Sequence, residues 1–361
     1  MRSLCITSTS DFAGKNLLLL GLGDRLKQDG YQIAYLKPLG NKPARSGRAI
    51  VDEDIMFFYQ SLGLTEDISL SCPVVVTDML IEKALVRKNS ANFRKELHTK
   101  LQHAFNRLSD KNEVVLIKGL GRFYRGGIFG LTELSLVKEF NWFTIVIDKF
   151  TSLAETIDAF ISAKRLLGNL LVGVVFNSVP PAWLTALRRK GVPLLASEDI
   201  DVLGIIPQLN ILEAVSIGEV VQALGGELVS GKDKTDDRIE RFCMGAMNVE
   251  SALRYFRKER CKAVVTSGDR ADIQLVALET PTKCLILTDN LYPSDIILSR
   301  AEELKVPVMV VRDDIVRAFE KIEGLTKHIG LATPSKVKDV IRAAQQNVNI
   351  KTIYKKIGLR K

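Results

Sequence analysis

The residues best suited to chemistry stand near the amino terminus, in Ser8-Thr9-Ser10-Asp11-Phe12-Ala13-Gly14-Lys15-Asn16. A glycine-lysine pair set between an apolar strand-like run and an apolar helix-like run has the order a phosphate cradle needs. The helix amino terminus there offers free N–H groups and a partial positive charge. In that reading Gly14 lets the backbone approach a phosphate, Lys15 reaches it, and Ser8, Thr9, Ser10 and Asn16 complete the loop. The spacing GxxxxGK[ST] is not met, since it requires Gly at Thr9 and Ser or Thr at Asn16. The motif alone leaves a second reading open, a turn carrying a solvated lysine. Gly119-Leu120-Gly121 also follows a strand-like run, but Tyr124 stands where GxGxxG needs its third glycine, which argues against a nicotinamide site. The next residues, Arg122-Phe123-Tyr124-Arg125-Gly126-Gly127, read as a loop in which Arg122 and Arg125 meet an anionic group. His98, His103 and His328 have no nucleophile in a suggestive context, so a hydrolase triad has no support.

Elements that alternate between β-rich and amphipathic runs must hold these groups, which predicts βα units on a parallel sheet. Strands are expected at Ser3–Ile6, Gln32–Tyr35, Val114–Ile117, Thr144–Ile147, Leu171–Phe176 and Val202–Ile205. Helices fall between them near Lys15–Gln28, Asp54–Leu62, Asn92–Leu108, Ser152–Leu167 and Ala182–Arg189, with a further one at Leu212–Leu224. Gly21 and Gly23 inside the first helix are expected to allow close packing. GGELVSGKDKTDD follows, and its glycines and charges read as a linker. Beyond it lies a second series with strands at Ala263–Thr266, Cys284–Leu287 and Val306–Val311, and helices at Val249–Lys258, Ile273–Leu278, Ser294–Leu304 and Ile315–Ile322. The expected division is 1–224, linker 225–236, a small α/β domain at 237–325 and a tail at 326–361.

The chain has 361 residues, 46% of them hydrophobic and 26% charged, a core-forming composition long enough for two domains. No apolar run approaches the ~20 residues of a membrane span, and no signal-peptide pattern opens the chain. Five scattered cysteines without a CxxC pair argue against a disulfide framework or a zinc site, and a cytoplasmic location is expected. The net charge is +9. From Thr333 onward eight lysines and arginines face one aspartate, so the tail carries +7 and the remainder +2. With no nucleic-acid-binding motif in the body, the basicity reads as a docking tail. Ile350, Ile353 and Ile357 give that tail an apolar stripe suited to a protein partner.

The first 210 residues resemble dethiobiotin synthetase and, more closely, the synthetase-like amino-terminal part of long phosphate acetyltransferases. Ser8 to Gly14 fits that family's loop, which is one residue longer than the standard one. Lys37-Pro38, the acidic run Asp52-Glu53-Asp54, Asn177 at a strand end, and Leu203-Gly204-Ile205-Ile206-Pro207 match in order. The resemblance implies a P-loop NTPase-like parallel sheet with helices on both faces. It also implies ATP or another purine nucleotide as ligand, Asn177 and Pro207 at the adenine, Lys37 at a substrate anion and Asp54 as a metal ligand. Two departures weigh against magnesium. Family members place Ser or Thr where Asn16 stands, and an acidic residue where Lys118 stands. Lys118 then either takes part of the metal's place at the phosphates or forms a salt bridge to Asp54, and the salt bridge is the expected role. Asp11 and Asp52 are left open as replacement metal ligands.

From Asp237 the chain resembles the DRTGG domain that follows the synthetase-like part in those acetyltransferases, through MGAM, GDRADIQ and LTDN. Gly268, Asp269, Arg270 and Thr288 are candidates to bind a small anionic effector. The other reading has Asp269 capping a helix and Arg270 pairing with Asp272 or with a partner subunit. Family analogy adds a homodimer. No third domain of acyltransferase size is expected, which makes the chain a free-standing regulatory half. The leading expectation is a nucleotide-binding regulatory or sensor protein with little phosphoryl transfer. The alternatives are an active ATP-dependent ligase or carboxylase of dethiobiotin synthetase type, and a structural partner-binding protein without nucleotide.

Overall fold

Strands that are apolar at every position need cover on both faces, which a parallel sheet between helical layers supplies. The computed structural model describes residues 2–46, 49–86, 90–209, 214–328 and 334–359. It divides into two units, Met1–Gln208 with Leu331–Lys361, and Leu209–Gly330. The first unit begins with β1 (Arg2–Thr7), α1 (Lys15–Gln28), β2 (Ile33–Leu36), α2 (Glu53–Leu62), α3 (Ser90–Lys111) and β3 (Val114–Lys118). It continues with α4 (Glu133–Glu139), β4 (Phe143–Lys149), α5 (Leu153–Leu167), β5 (Leu171–Val179) and β6 (Val202–Pro207). The six strands of its main sheet run parallel in the order β6-β5-β4-β1-β3-β2. The carboxyl ends of β1, β3 and β4 therefore lie side by side, and the site is built there. Every expected strand of this unit, and every expected helix but one, is present within a few residues. The helix expected at Ala182–Arg189 is broken instead into Pro181–Ala186 and a π turn at Leu187–Gly191.

The leucines of α1 surround the helix, and Leu17, Leu18, Leu19, Leu20, Leu22 and Leu26 are all buried. One side packs on the sheet. The other is covered by a helix from the far end of the sequence, Pro334–Asn347, where a Cβ on Gly21 would lie 2.2 Å from the Ala344 Cβ. Gln345 Nε2 donates to Gly21 O at 3.3 Å and to Asp24 at 2.8 Å. A last helix, Ile350–Ile357, lays Ile353, Tyr354 and Ile357 on β5 and β6, and Tyr354 OH donates to Asp29 at 3.1 Å. The expected free docking tail is corrected accordingly. Ile353 and Ile357 of the isoleucine stripe are buried on the chain's own sheet, Ile350 is partly buried, and Lys356 pairs with Asp201. Thr333, Arg360 and Lys361 lie outside the described residues.

The second unit contains α6 (Ile217–Leu224), β7 (Glu227–Ser230), β8 (Arg241–Met244), α7 (Val249–Phe256), β9 (Lys262–Ser267) and α8 (Ala271–Leu278). It ends with β10 (Thr282–Thr288), α9 (Asp295–Glu303), β11 (Val308–Val310) and α10 (Ile315–His328). The sheet order is β7-β11-β10-β9-β8, with only β7 antiparallel. Alternate residues feed two cores. Val265 and Ile286 face one of them together with Ile217, Val220 and Leu224, while Val264 and Leu285 face the other with Phe256 and Ile273. Two sequence boundaries change as a result. The helix assigned to the first domain belongs to the second unit, running Ile217–Leu224, with Leu212 outside the described residues. The supposed linker holds β7. Gly225 and Gly231, at φ +61° and +69°, end a helix and a strand. Among the described residues no helix is long and apolar enough to cross a membrane.

Valine at Gly21 should push the two packed helices apart and cost about 1–3 kcal/mol, an overpacking penalty. It would be read as a lower urea midpoint. A tail that merely docked on partners would leave that midpoint unchanged.

Candidate functional site

Thr7 closes β1, and the chain then turns across the sheet edge before α1 begins. Gly14, at φ +104°, is the N-cap and supplies no side-chain acceptor, so the first-turn N–H groups of α1 have no cap from that residue. A Cβ at Gly14 would lie 2.3 Å from Asn177 Nδ2, which only glycine avoids. Asn177 donates to Ala13 O at 3.0 Å, so the residue expected at the adenine braces the phosphate loop from behind. Pro207 ends β6 in register with Val179.

The first arm of the loop is held by a carboxylate that sequence reading did not single out. Asp148, 3% exposed near the end of β4, accepts from Thr9 N at 3.0 Å, Ser10 N at 3.1 Å, Thr9 Oγ1 at 2.8 Å and Ser10 Oγ at 2.7 Å. Thr9 and Ser10 therefore turn toward Asp148. The available signal was an acidic residue at the end of a strand paired with β1. Lys15 Nζ donates to Ser8 Oγ at 2.7 Å, and burial pulls its pKa below the usual lysine range. Glu133, 2% exposed at the start of α4, was also missed. It accepts from Gly121 N at 2.9 Å, and burial pushes its carboxyl up.

Beside the loop lies a buried charge cluster. Lys37 Nζ bonds Asp52 at 2.7 Å, Asp54 at 2.6 Å and Asn41 at 3.0 Å, while Lys118 Nζ bonds Asp54 at 2.5 Å. Asp52 also caps α2 through Asp54 N and accepts from Lys42 N. Burial alone would raise the Asp54 pKa, yet Lys118 and Lys37 hold it well below the carboxylate range. Burial brings Lys118 down to about 8 against the pull of Asp54. The salt bridge expected between Lys118 and Asp54 is thus present.

These residues do not fit magnesium. Asp54 is saturated by two ammonium groups, and Asp52 by Lys37 and two amides. Asp11 is paired with Arg122 and Arg125, and Asn16 brings an amide oxygen, buried without a hydrogen-bond partner, in place of a hydroxyl. Among the described residues no group of three or more His, Cys, Asp or Glu is arranged to hold a metal. A phosphate does fit, since Gly14 keeps the backbone close and Lys15 stands beside it.

In the second unit Ser267 and Thr288 end adjacent parallel strands, which brings Gly268, Asp269, Arg270 and Thr288 to one edge. Arg270 forks onto Asp272, with both contacts at 2.9 Å, and also reaches Met247 O at 3.2 Å. The buried Thr288 donates to Asp289 at 2.6 Å. Asp269 is exposed and does not cap α8, whose N-cap is Arg270.

Asp54→Asn should cost about 3–5 kcal/mol of stability, because it leaves two buried ammonium groups short of a counter-charge. Lys118→Met should cost less, since Asp54 keeps Lys37, and denaturant unfolding of both variants checks the order. Asp148→Ala strands two amide donors and should cost about 1–3 kcal/mol while weakening phosphate binding at the loop, as measured by calorimetry.

Comparison with known proteins finds two domain families in the chain. Residues 2–216 match the AAA domain and residues 219–325 the DRTGG domain. Phosphate acetyltransferase of Synechocystis sp. is 20% identical over 377 residues, covering 96% of this chain and 50% of that protein. The ATP-dependent dethiobiotin synthetase BioD of Caldicellulosiruptor saccharolyticus is 26% identical over 121 residues, 34% of this chain and 49% of its own. A solved structure of the CBS and DRTGG domains of the regulatory region of Clostridium perfringens pyrophosphatase, complexed with the activator diadenosine tetraphosphate, matches at 19% identity. Its TM-score is 0.28, and the match covers 41% of this chain and 72% of that one. The chain spans about half the length of the acetyltransferase relative. With more than half of its residues in the first match, the chain belongs to the AAA domain family, and it carries a DRTGG domain in the arrangement of the amino-terminal region of phosphate acetyltransferase homologues.

Proposed function

We propose that this protein is a nucleotide-responsive regulator whose first unit binds a purine nucleotide, ATP or a relative, without magnesium and with little phosphoryl transfer. The observation that carries the reading is the pairing of Asp54 with both Lys37 and Lys118. Phosphoryl transfer relies on a metal bridging phosphate oxygens, and the one carboxylate matching a family metal ligand is committed to two internal cations. What remains at the loop is suited to holding an anion: the Gly14 cradle, the α1 amino terminus and Lys15. The DRTGG unit takes a small anionic effector near Gly268, Arg270 and Thr288, where Arg270 must exchange Asp272 for the ligand.

Thermal unfolding and calorimetry with ATP, ADP and GTP, each in EDTA and in excess Mg²⁺, test the reading. Ligand at a hundred times its Kd should stabilise the first unit by about 2.7 kcal/mol, equally in both conditions. Binding that appears only with magnesium, or phosphate release above background, would favour the ligase reading.

A further inference from the structure

Gly121 marks a point that three polar groups surround. A Cβ built there would lie 2.9 Å from Lys15 Nζ, 3.6 Å from Ser8 Oγ and 3.7 Å from Arg125 Nη1, and glycine at φ +95° puts no side chain in the way. Lys15 Nζ and Arg125 Nη1 therefore flank the same glycine, and a phosphate lying beside Gly121 would meet both an ammonium and a guanidinium. Arg125 and Arg122 are already poised by contacts of their own, Arg125 Nη1 to Leu120 O at 3.1 Å and Arg122 Nη1 to Tyr124 OH at 2.8 Å. Their other amino groups converge on one carboxylate of the phosphate loop. Arg125 Nη2 lies 2.7 Å from Asp11 Oδ1, and Arg122 Nη2 lies 3.2 Å from Oδ2.

One carboxylate faces two guanidinium groups there, which leaves one positive charge in excess, while the charge of Lys15 is already offset by the nearby Glu133 and Asp148. A dianionic group balances that set better than Asp11 does. The side chains of Asp11, Arg122 and Arg125 are 35%, 41% and 38% exposed, so their ion pairs are worth little in water and exchange readily. Forked arginine contacts to phosphate are stronger.

We propose that Arg122 and Arg125, together with Lys15, form a subsite for the terminal phosphate of a polyphosphate ligand, and that Asp11 fills this subsite in the free protein and leaves it when ligand enters. The inference rests on the nucleotide-binding reading and deepens it by assigning the subsite that distinguishes a triphosphate from shorter chains. Asp11 acts as a built-in competitor, setting the threshold concentration at which the ligand is sensed.

Calorimetry on the full chain in EDTA, with ATP, ADP, inorganic tripolyphosphate and pyrophosphate, tests it. Asp11→Asn should tighten ATP and tripolyphosphate about tenfold and leave pyrophosphate nearly unchanged, because a charge-assisted competitor has been removed. Arg125→Gln should weaken the two triphosphates about tenfold and abolish the gain when combined with Asp11→Asn. Thermal midpoints of the ligand-free variants, expected near that of the unaltered protein, separate binding from folding. Unchanged or weaker triphosphate affinity in Asp11→Asn overturns the subsite while leaving nucleotide binding intact. The expected pattern with tripolyphosphate but no binding of ATP or ADP keeps the subsite and overturns the nucleotide reading. No binding of any of the four overturns both.

Discussion

Lys37, Asp52, Asp54 and Lys118 are buried in mutual contact, and none of the four could be carried alone. An isolated ionised group inside a protein costs several kcal/mol, so each charge here requires its partners. That requirement governs what the neighbouring loop can do. Because Asp54 is spent on neutralising lysines, it offers no lone pair to a cation. Because the lysines are spent on Asp52 and Asp54, the cluster as a whole presents little net charge. In the proposed reading, anion recognition therefore falls to the groups outside it, namely Lys15, the α1 amino terminus and the two arginines.

The loop itself is shaped by contacts that replace ligand with protein. Asp148 gathers the amides and hydroxyls of Thr9 and Ser10, Asn177 braces Ala13, and Asp11 holds the arginine loop. Phosphate loops that wait for ligand with unpaired donors pay for the exposed N–H groups with disorder or water. In this chain Asp148 accepts from two of those N–H groups, while Asn177 donates to Ala13 O and Asp11 ties the loop to Arg122 and Arg125. Asp148 and Asn177 are buried and act as permanent supports, whereas Asp11 is partly exposed and can let go.

Legibility in the sequence followed the range of the interaction. Apolar runs marked the strands, and the Gly14-Lys15 junction marked the start of α1 at Lys15, because both signals are local. The Lys118–Asp54 pair was legible because the one departure from the family pattern that brings a cation, Lys118, is chemically complementary to the acidic residue the pattern retains. Asp148 was not, since nothing local says that an acid near a strand end will reach a loop 139 residues away, and Glu133 was not, since nothing marks an acid in a helix's first turn as the acceptor of the Gly121 amide. The linker was misread for a compositional reason. Gly225 and Gly231 are turn glycines flanking an edge strand, and turn and linker glycines look alike in one dimension.

The carboxyl-terminal helices show most clearly how one pattern can serve two ends. An apolar stripe with lysines beside it describes a helix that docks on something, but amphipathicity does not say on what. The deciding residues were in α1, where leucines on every face and glycine at position 21 announced a helix needing a second cover. Reading the two segments together would have paired them, since a helix with no polar face and an amphipathic helix with no partner are complementary demands. The chain leaves the first unit after Gln208 and returns at Leu331, so the DRTGG-containing unit is inserted in sequence between the six-stranded sheet and the helices that finish that sheet's cover.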